Sequence, residues 1–163
     1  MFKILLISSV LVLACVMFHG FVLQSVARQL FSKIRRFSFY RVGLLILVAI
    51  LAHLMEIVFF QIAYVWLEPD QSMGTIVGKV DIGHDGQSSG SGILTMQDIF
   101  YFSAVTYTST GYGDLTPTGN LRLLAMVEAL TGLIMVAWST SYAFVVMMRY
   151  WEQEELLPDP DSS

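Results

Sequence analysis

The chain has 163 residues, 55% of them hydrophobic and 13% charged, with a formal net charge of −4 and a mean hydropathy of +0.65. Soluble domains carry about 25% charged residues, and a core of this length cannot hide so much apolar surface from water, so a soluble single domain is excluded, as is intrinsic disorder. The one cysteine, Cys15, rules out a disulfide scaffold and a multi-cysteine metal site, and the acidic balance leaves no footprint for nucleic acid.

The first apolar stretch runs from about Ile4 to Val26, longer than the roughly 20 residues a helix needs to cross the hydrocarbon core. Lys3 and the run ending Val12-Leu13-Ala14-Cys15 also resemble a signal peptide with a poor lipobox. Residues 1–27 are read as an uncleaved helix, either transmembrane or lying along the inner leaflet. Residues 28–42 form a basic linker that holds five of the nine Lys and Arg residues: Arg28, Lys33, Arg35, Arg36 and Arg41. Val26, Leu30, Ile34 and Phe37 recur there at helical spacing. That pattern fits an amphipathic interfacial helix turning Arg28, Lys33, Arg35 and Arg36 towards anionic lipid headgroups. A simple positive-inside anchor is the other reading.

Short loops rich in Lys and Arg stay in the cytoplasm. The second span, 43–67, then runs outward, and the segment 68–120 lies outside. The third span, 121–149, returns inward, and an acidic tail (150–163) with Glu152, Glu154, Glu155, Asp159 and Asp161 is cytoplasmic. By the same logic the first span starts outside. The outer loop, 68–92, becomes Gly/Ser-rich and is read as a mobile tip, with His84 and Asp85 as solvated side chains. Between the second and third spans, Ile93–Tyr107 is apolar but too short to cross. It fits a re-entrant helix buried in protein, with Thr95 and Asp98 spaced as a capping box at its start.

Directly after it comes Thr108-Ser109-Thr110-Gly111-Tyr112-Gly113-Asp114. Glycines two apart give the backbone access to positive φ, so such a strand can turn successive carbonyls to one side. Four strands around an axis would then stack rings of oxygens that replace the hydration shell of a cation. Residues 68–120 carry six carboxylates against Lys79, a field that concentrates cations at an outer mouth.

This run resembles the potassium-channel selectivity signature. With the short helix before it, Pro117 after it and a long helix following, residues 43–149 are similar to the two-helix bacterial potassium channels. The resemblance implies an all-α membrane protein with an outer helix (43–67), a re-entrant pore helix and filter (93–114), and an inner helix (121–149), to which this chain adds an N-terminal helix. It implies a homotetramer that binds K+ at Ser109, Thr110, Gly111 and Tyr112. The filter would run from Ser109 to Gly113, and Asp114 would stand at the outer mouth. Ser109 stands where the family usually has Thr, and Thr110 where Val or Ile is common, so the Thr110 hydroxyl needs a partner behind the filter. Tyr112 is expected to point off-axis and pack on the pore helix. Two departures bear on filter rigidity. A Trp pair common in bacterial members is Tyr101 and Phe102 here, of which only Tyr101 can hydrogen-bond, to Asp114. A carboxylate often found behind the filter is replaced by Val105.

On the third span, Gly132 is either a bend or a small residue for close packing. Val136, Thr140, Phe144 and Met148 follow at four-residue steps and offer one pore-lining face, with Thr140 wetting the cavity and Phe144 and Met148 closing it. Intramembrane charges are costly and mark function by default. His53 and Glu56 share a face of the second span, and Glu128 lies at a similar depth on the third. At least one carboxylate is expected to be protonated and hydrogen-bonded near the base of the pore helix, as a structural contact or as a pH sensor. His19, His53 and His84 are too scattered in sequence to form a cluster, and no nucleophile–base pair is apparent, so no enzyme activity and no cofactor are expected.

The expected function is passive K+ conduction in the plasma (bacterial inner) membrane, with the filter mouth extracytoplasmic. The alternatives are a weakly selective cation channel, or a non-conducting regulatory subunit that co-assembles with another channel.

Overall fold

The computed structural model describes residues 2–31, 39–70, 72–78 and 94–155. Four helices carry the chain: α1 (Phe2–Phe31), α2 (Phe39–Leu67), α3 (Met96–Tyr107) and α4 (Leu121–Glu155). Two three-residue strands, β1 (Ile76–Gly78) and β2 (Leu115–Pro117), flank α3 in sequence. Stretches of α1, α2 and α4 are long and apolar enough to cross a membrane: Phe2–Gln29, Tyr40–Leu67 and Leu121–Arg149. Rows of large apolar side chains stay exposed along them, among them Leu6, Leu13, Phe21, Leu47, Leu51, Ile62, Leu130 and Ile134. Water would penalise that surface and lipid does not. The molecule is an all-α multi-pass membrane protein.

Helix α1 packs along both α2 and α4. Its buried residues Ile4, Ser8, Cys15, His19, Leu23 and Ala27 recur mostly at four-residue steps, so one face is covered and the others look outward. Its N-terminus reaches the far end of α2, where Lys3 Nζ donates to Asp70 Oδ2 at 2.9 Å. Helix α1 therefore runs antiparallel to α2. Gly20 leaves room for a neighbouring aromatic: a Cβ there would lie 3.2 Å from the indole of Trp138 on α4.

Two boundaries differ from the hydropathy reading. Helix α1 continues to Phe31, so Arg28 lies in its last turn, and α2 begins at Phe39, so Arg41 lies in its first turn and is 3% exposed. Apolar content marks where lipid lies, whereas a helix ends where its hydrogen bonds do. Lys33, Ile34, Arg35, Arg36 and Phe37 lie outside the described residues, as do Lys79, His84, Asp85, Asp159 and Asp161.

Strands β1 and β2 pair antiparallel, Ile76 opposite Pro117 and Gly78 opposite Leu115. Thr75 N donates to Thr118 Oγ1 (2.9 Å), Thr118 N donates to Thr75 O (2.8 Å), and Leu121 N donates to Met73 O (3.0 Å). The chain after α2 is thereby braced against the chain before α4, a feature the sequence reading of 68–120 did not contain. The brace depends on Gly74, at φ 100°, whose Cβ would collide with the Thr118 carbonyl.

Candidate ion pathway and its buried support

Helix α3 starts on the capping box expected from Thr95 and Asp98. Asp98 N donates to Thr95 Oγ1 (3.2 Å), and Thr95 N donates to Asp98 Oδ2 (2.8 Å). The Thr95 backbone N–H first, and then the Thr95 hydroxyl at 2.7 Å, donate to the exposed Asp98 carboxyl and hold it below its ordinary range. The helix ends at Tyr107, and the chain turns back on it: Ser109 N donates to Thr106 O (2.9 Å), while Thr110 N (2.9 Å) and Gly111 N (3.1 Å) both donate to Val105 O.

The backbone then alternates. Ser109 (φ 56°), Gly111 (φ 52°) and Gly113 (φ 72°) all lie in the left-handed region, one residue apart from each other. Alternation of this kind lets successive carbonyls project to one side while the amides near α3 are turned towards its end. Ser109 is the non-glycine member, and a side chain there carries a conformational cost of about 1–2 kcal/mol. The Thr110 hydroxyl finds its partner in Thr108 Oγ1 at 2.9 Å. Because Thr108 gives its hydrogen to Ala104 O (2.8 Å), Thr110 is the donor.

At the outer end Tyr101 Oη donates to Asp114 Oδ2 at 2.8 Å, the bond expected of Tyr101. Phe102 instead turns inward, 3% exposed, and meets Tyr64 edge-on with ring centroids 5.1 Å apart. The Tyr112 ring is 69% exposed in the single chain.

Behind α3 lie two carboxylates brought by other helices. Glu128 on α4 accepts from Tyr64 Oη (2.6 Å) and contacts Ser103 Oγ. Ser103 Oγ also bonds Ile57 O (2.9 Å). One hydroxyl hydrogen cannot serve two acceptors, and a proton on Glu128 directed at Ser103 satisfies both contacts.

The second carboxylate, Glu56, is wholly buried and accepts from the hydroxyl of Tyr107, the last residue of α3. Glu56 Oε1 lies 2.8 Å from His19 Nδ1, and Oε2 lies 3.2 Å from His53 Nδ1. The two imidazoles, 34 positions apart in sequence, have ring centroids 4.9 Å apart. The expectation of scattered histidines is therefore corrected: α1 is packed against α2 in a register that brings His19 level with His53. Ser139 Oγ on α4 contacts the remaining nitrogen of both rings, His19 Nε2 at 2.8 Å and His53 Nε2 at 3.1 Å. Sequence reasoning named His53, Glu56 and Glu128 but missed His19, Tyr64, Ser103, Tyr107 and Ser139. Gly20, set beside His19, was the available hint of close packing there.

Comparison with known proteins places this arrangement. The family model described as "Ion channel", the two-transmembrane group, matches residues 44–149. The chain belongs to that ion channel family. The channel is also similar to the protein called LctB of Geobacillus stearothermophilus, 44% identical over 50 residues, and to LctB of Bacillus caldotenax, 50% identical over 42 residues. Those alignments cover 31% and 26% of this chain and only 37% and 31% of the relatives' own length. No solved structure matches it.

The family match begins inside α2 and leaves α1 outside, so the channel takes His19 from beyond its family segment. On α4, Val136, Thr140, Phe144 and Met148 share one face, and all are exposed in the single chain. The Thr140 hydroxyl donates to Val136 O at 2.8 Å, which leaves its oxygen lone pairs facing outward. Gly132 faces α3: an added Cβ would run into the backbone carbonyl of Tyr107, with Tyr107 Cδ1 also at 3.0 Å. That contact gives the close-packing reading of Gly132 a physical basis.

Proposed function

We propose that four copies of this chain surround one axis and form a potassium-selective channel. The observation that carries the reading is the alternation of positive φ at Ser109, Gly111 and Gly113, with amides turned back to α3. Carbonyls of Ser109, Thr110, Gly111 and Tyr112, repeated fourfold, would give K+ oxygen ligands in place of water. The exposed ring of Tyr112 fits burial against a neighbouring copy. The C-terminal ends of four α3 helices would favour a cation at the midplane. Thr140 would wet the cavity, and Phe144 and Met148 would close it by dewetting. K+ is the permeant ligand, no cofactor takes part, and the flow is passive.

The basic linker supports an orientation in the plasma membrane with the filter mouth outside and both the linker and the end of α4 in the cytoplasm. On this orientation Arg28 meets inner-leaflet headgroups. The test is flux from liposomes holding the purified protein: a K+ gradient drives flux in the wild type, and Gly111→Ala, which puts a side chain at φ 52°, abolishes it. Equal flux under a Na+ gradient would indicate a weakly selective cation channel. Absence of flux at any applied potential, with Phe144→Ala also silent, would indicate a regulatory subunit.

A further inference from the structure

We propose that His19, His53, Glu56 and Tyr107 form a closed site for one divalent transition-metal ion of the zinc class, set between the first helix and the base of the pore helix. The proposal is independent of potassium selectivity. The candidate ligand atoms of His19, His53 and Glu56 all lie within 4.8 Å of one another, and His19 and Glu56 are wholly buried. The Tyr107 hydroxyl, already on Glu56, lies 3.0 Å from His53 Nδ1. Ligands of a tetrahedral zinc, bonded at about 2.0–2.1 Å, stand roughly 3.3 Å apart. The nitrogen–carboxylate contacts, 2.8 Å from His19 to Oε1 and 3.2 Å from His53 to Oε2, lie within about half an ångström of that spacing, and the closer Tyr107 hydroxyl has to draw back further from Glu56.

Three further features point to a metal. Both rings turn Nδ1 to the Glu56 carboxylate, one to each oxygen, and have Nε2 held by a single hydroxyl, that of Ser139. Metal-binding histidines are oriented by such a partner on the second nitrogen. Four candidate ligands from three helices also converge: the two imidazoles, the Glu56 carboxylate and the Tyr107 hydroxyl. A divalent ion held by an ionised Glu56 and by Tyr107 with its proton released to solvent makes a site of zero net charge, as a buried place in the membrane requires. Finally, a cavity of about 320 Å³ lined by Leu23, Leu45, Ala49, His53, Ser139 and Thr140 opens beside two residues of the cluster.

The test uses full-length protein without a histidine tag, stripped with chelator and titrated with Co2+. The expected result is one Co2+ per chain with the visible band of tetrahedral nitrogen/oxygen coordination, displaced by Zn2+. His84→Ala, which alters the remaining histidine of the chain, keeps the band. His19→Gln, whose amide can still bond Glu56, loses the band and weakens binding more than 10-fold. Ser139→Ala keeps the band with affinity lowered roughly 10–100-fold. Zn2+ should also raise the thermal midpoint of the wild type, a readout that does not depend on any variant folding. A wild type that shows neither the band nor the thermal shift, or a band indifferent to His19→Gln, would overturn the proposal and leave the cluster a hydrogen-bonded contact between the helices.

Discussion

Replacing Gly132 by alanine sets two effects of opposite sign against each other. In a helix interior alanine is favoured over glycine by about 0.8–1.0 kcal/mol, so a Gly132 that serves only as a bend would become more stable on substitution. The structure places the new methyl against the carbonyl of Tyr107 and its ring edge. Backbone cannot rotate aside, so the overpacking cost falls at the upper end of its usual range, about 3 kcal/mol. The net expectation is a loss of about 2 kcal/mol, or roughly 30-fold in the folded-to-unfolded ratio. Unfolding by SDS titration in mixed micelles, followed by circular dichroism, reads this directly. Gly43→Ala is the control: a Cβ there meets nothing within 4 Å, so that variant should gain up to about 1 kcal/mol. A Gly132→Ala protein as stable as the wild type, alongside a stabilised Gly43→Ala, would refute the close contact of α3 on α4 and favour the bend.

Tyr64→Phe removes the 2.6 Å donor to Glu128 and should cost about 1–3 kcal/mol; the same SDS titration should show most of that loss absent when Glu128 is already leucine. Gly74→Ala forces a side chain to φ 100° against Thr118, and faster amide hydrogen exchange at Thr118 and Leu121 should report the opened brace. Asp70 titrates low, at about 2, held there first by the Ser72 hydroxyl and then by Lys3. A depressed carboxylate stabilises above its unfolded value of about 3.9, so the link from α1 to the end of α2 should weaken as pH falls from about 4 towards 2. Carboxyl NMR titration should show Ser72→Ala raising the Asp70 midpoint. Phe144→Ala should widen the inner constriction and raise leak through the closed channel in bilayer recordings.

The three apolar helices and the positive-φ backbone at Gly111 and Gly113 were legible because each has a strong one-dimensional cause. Twenty or more apolar residues announce a helix in lipid, and glycines at 111 and 113 announce a backbone with positive φ. Thr95 and Asp98 likewise fix the start of α3 through bonds three residues apart. The brace between β1 and β2 was not legible, since two strands of three residues show no alternation to read and depend on Gly74 fitting against Thr118 far along the chain. The meeting of His19 with His53 was hidden for a related reason. It depends on the register of α1 against α2, a packing outcome in which Gly20 and Trp138 take part. What the ring of Tyr112 packs on was not legible either, and in the single chain it is 69% exposed.

The central claim is selectivity built from the Ser109–Gly113 backbone. Its most direct measurement is the reversal potential in a planar bilayer with K+ on one side and an equal concentration of Na+ on the other. The account predicts a reversal far from zero in the direction that K+ alone sets, lost together with the current in Gly111→Ala. A wild-type current that reverses near zero would contradict it.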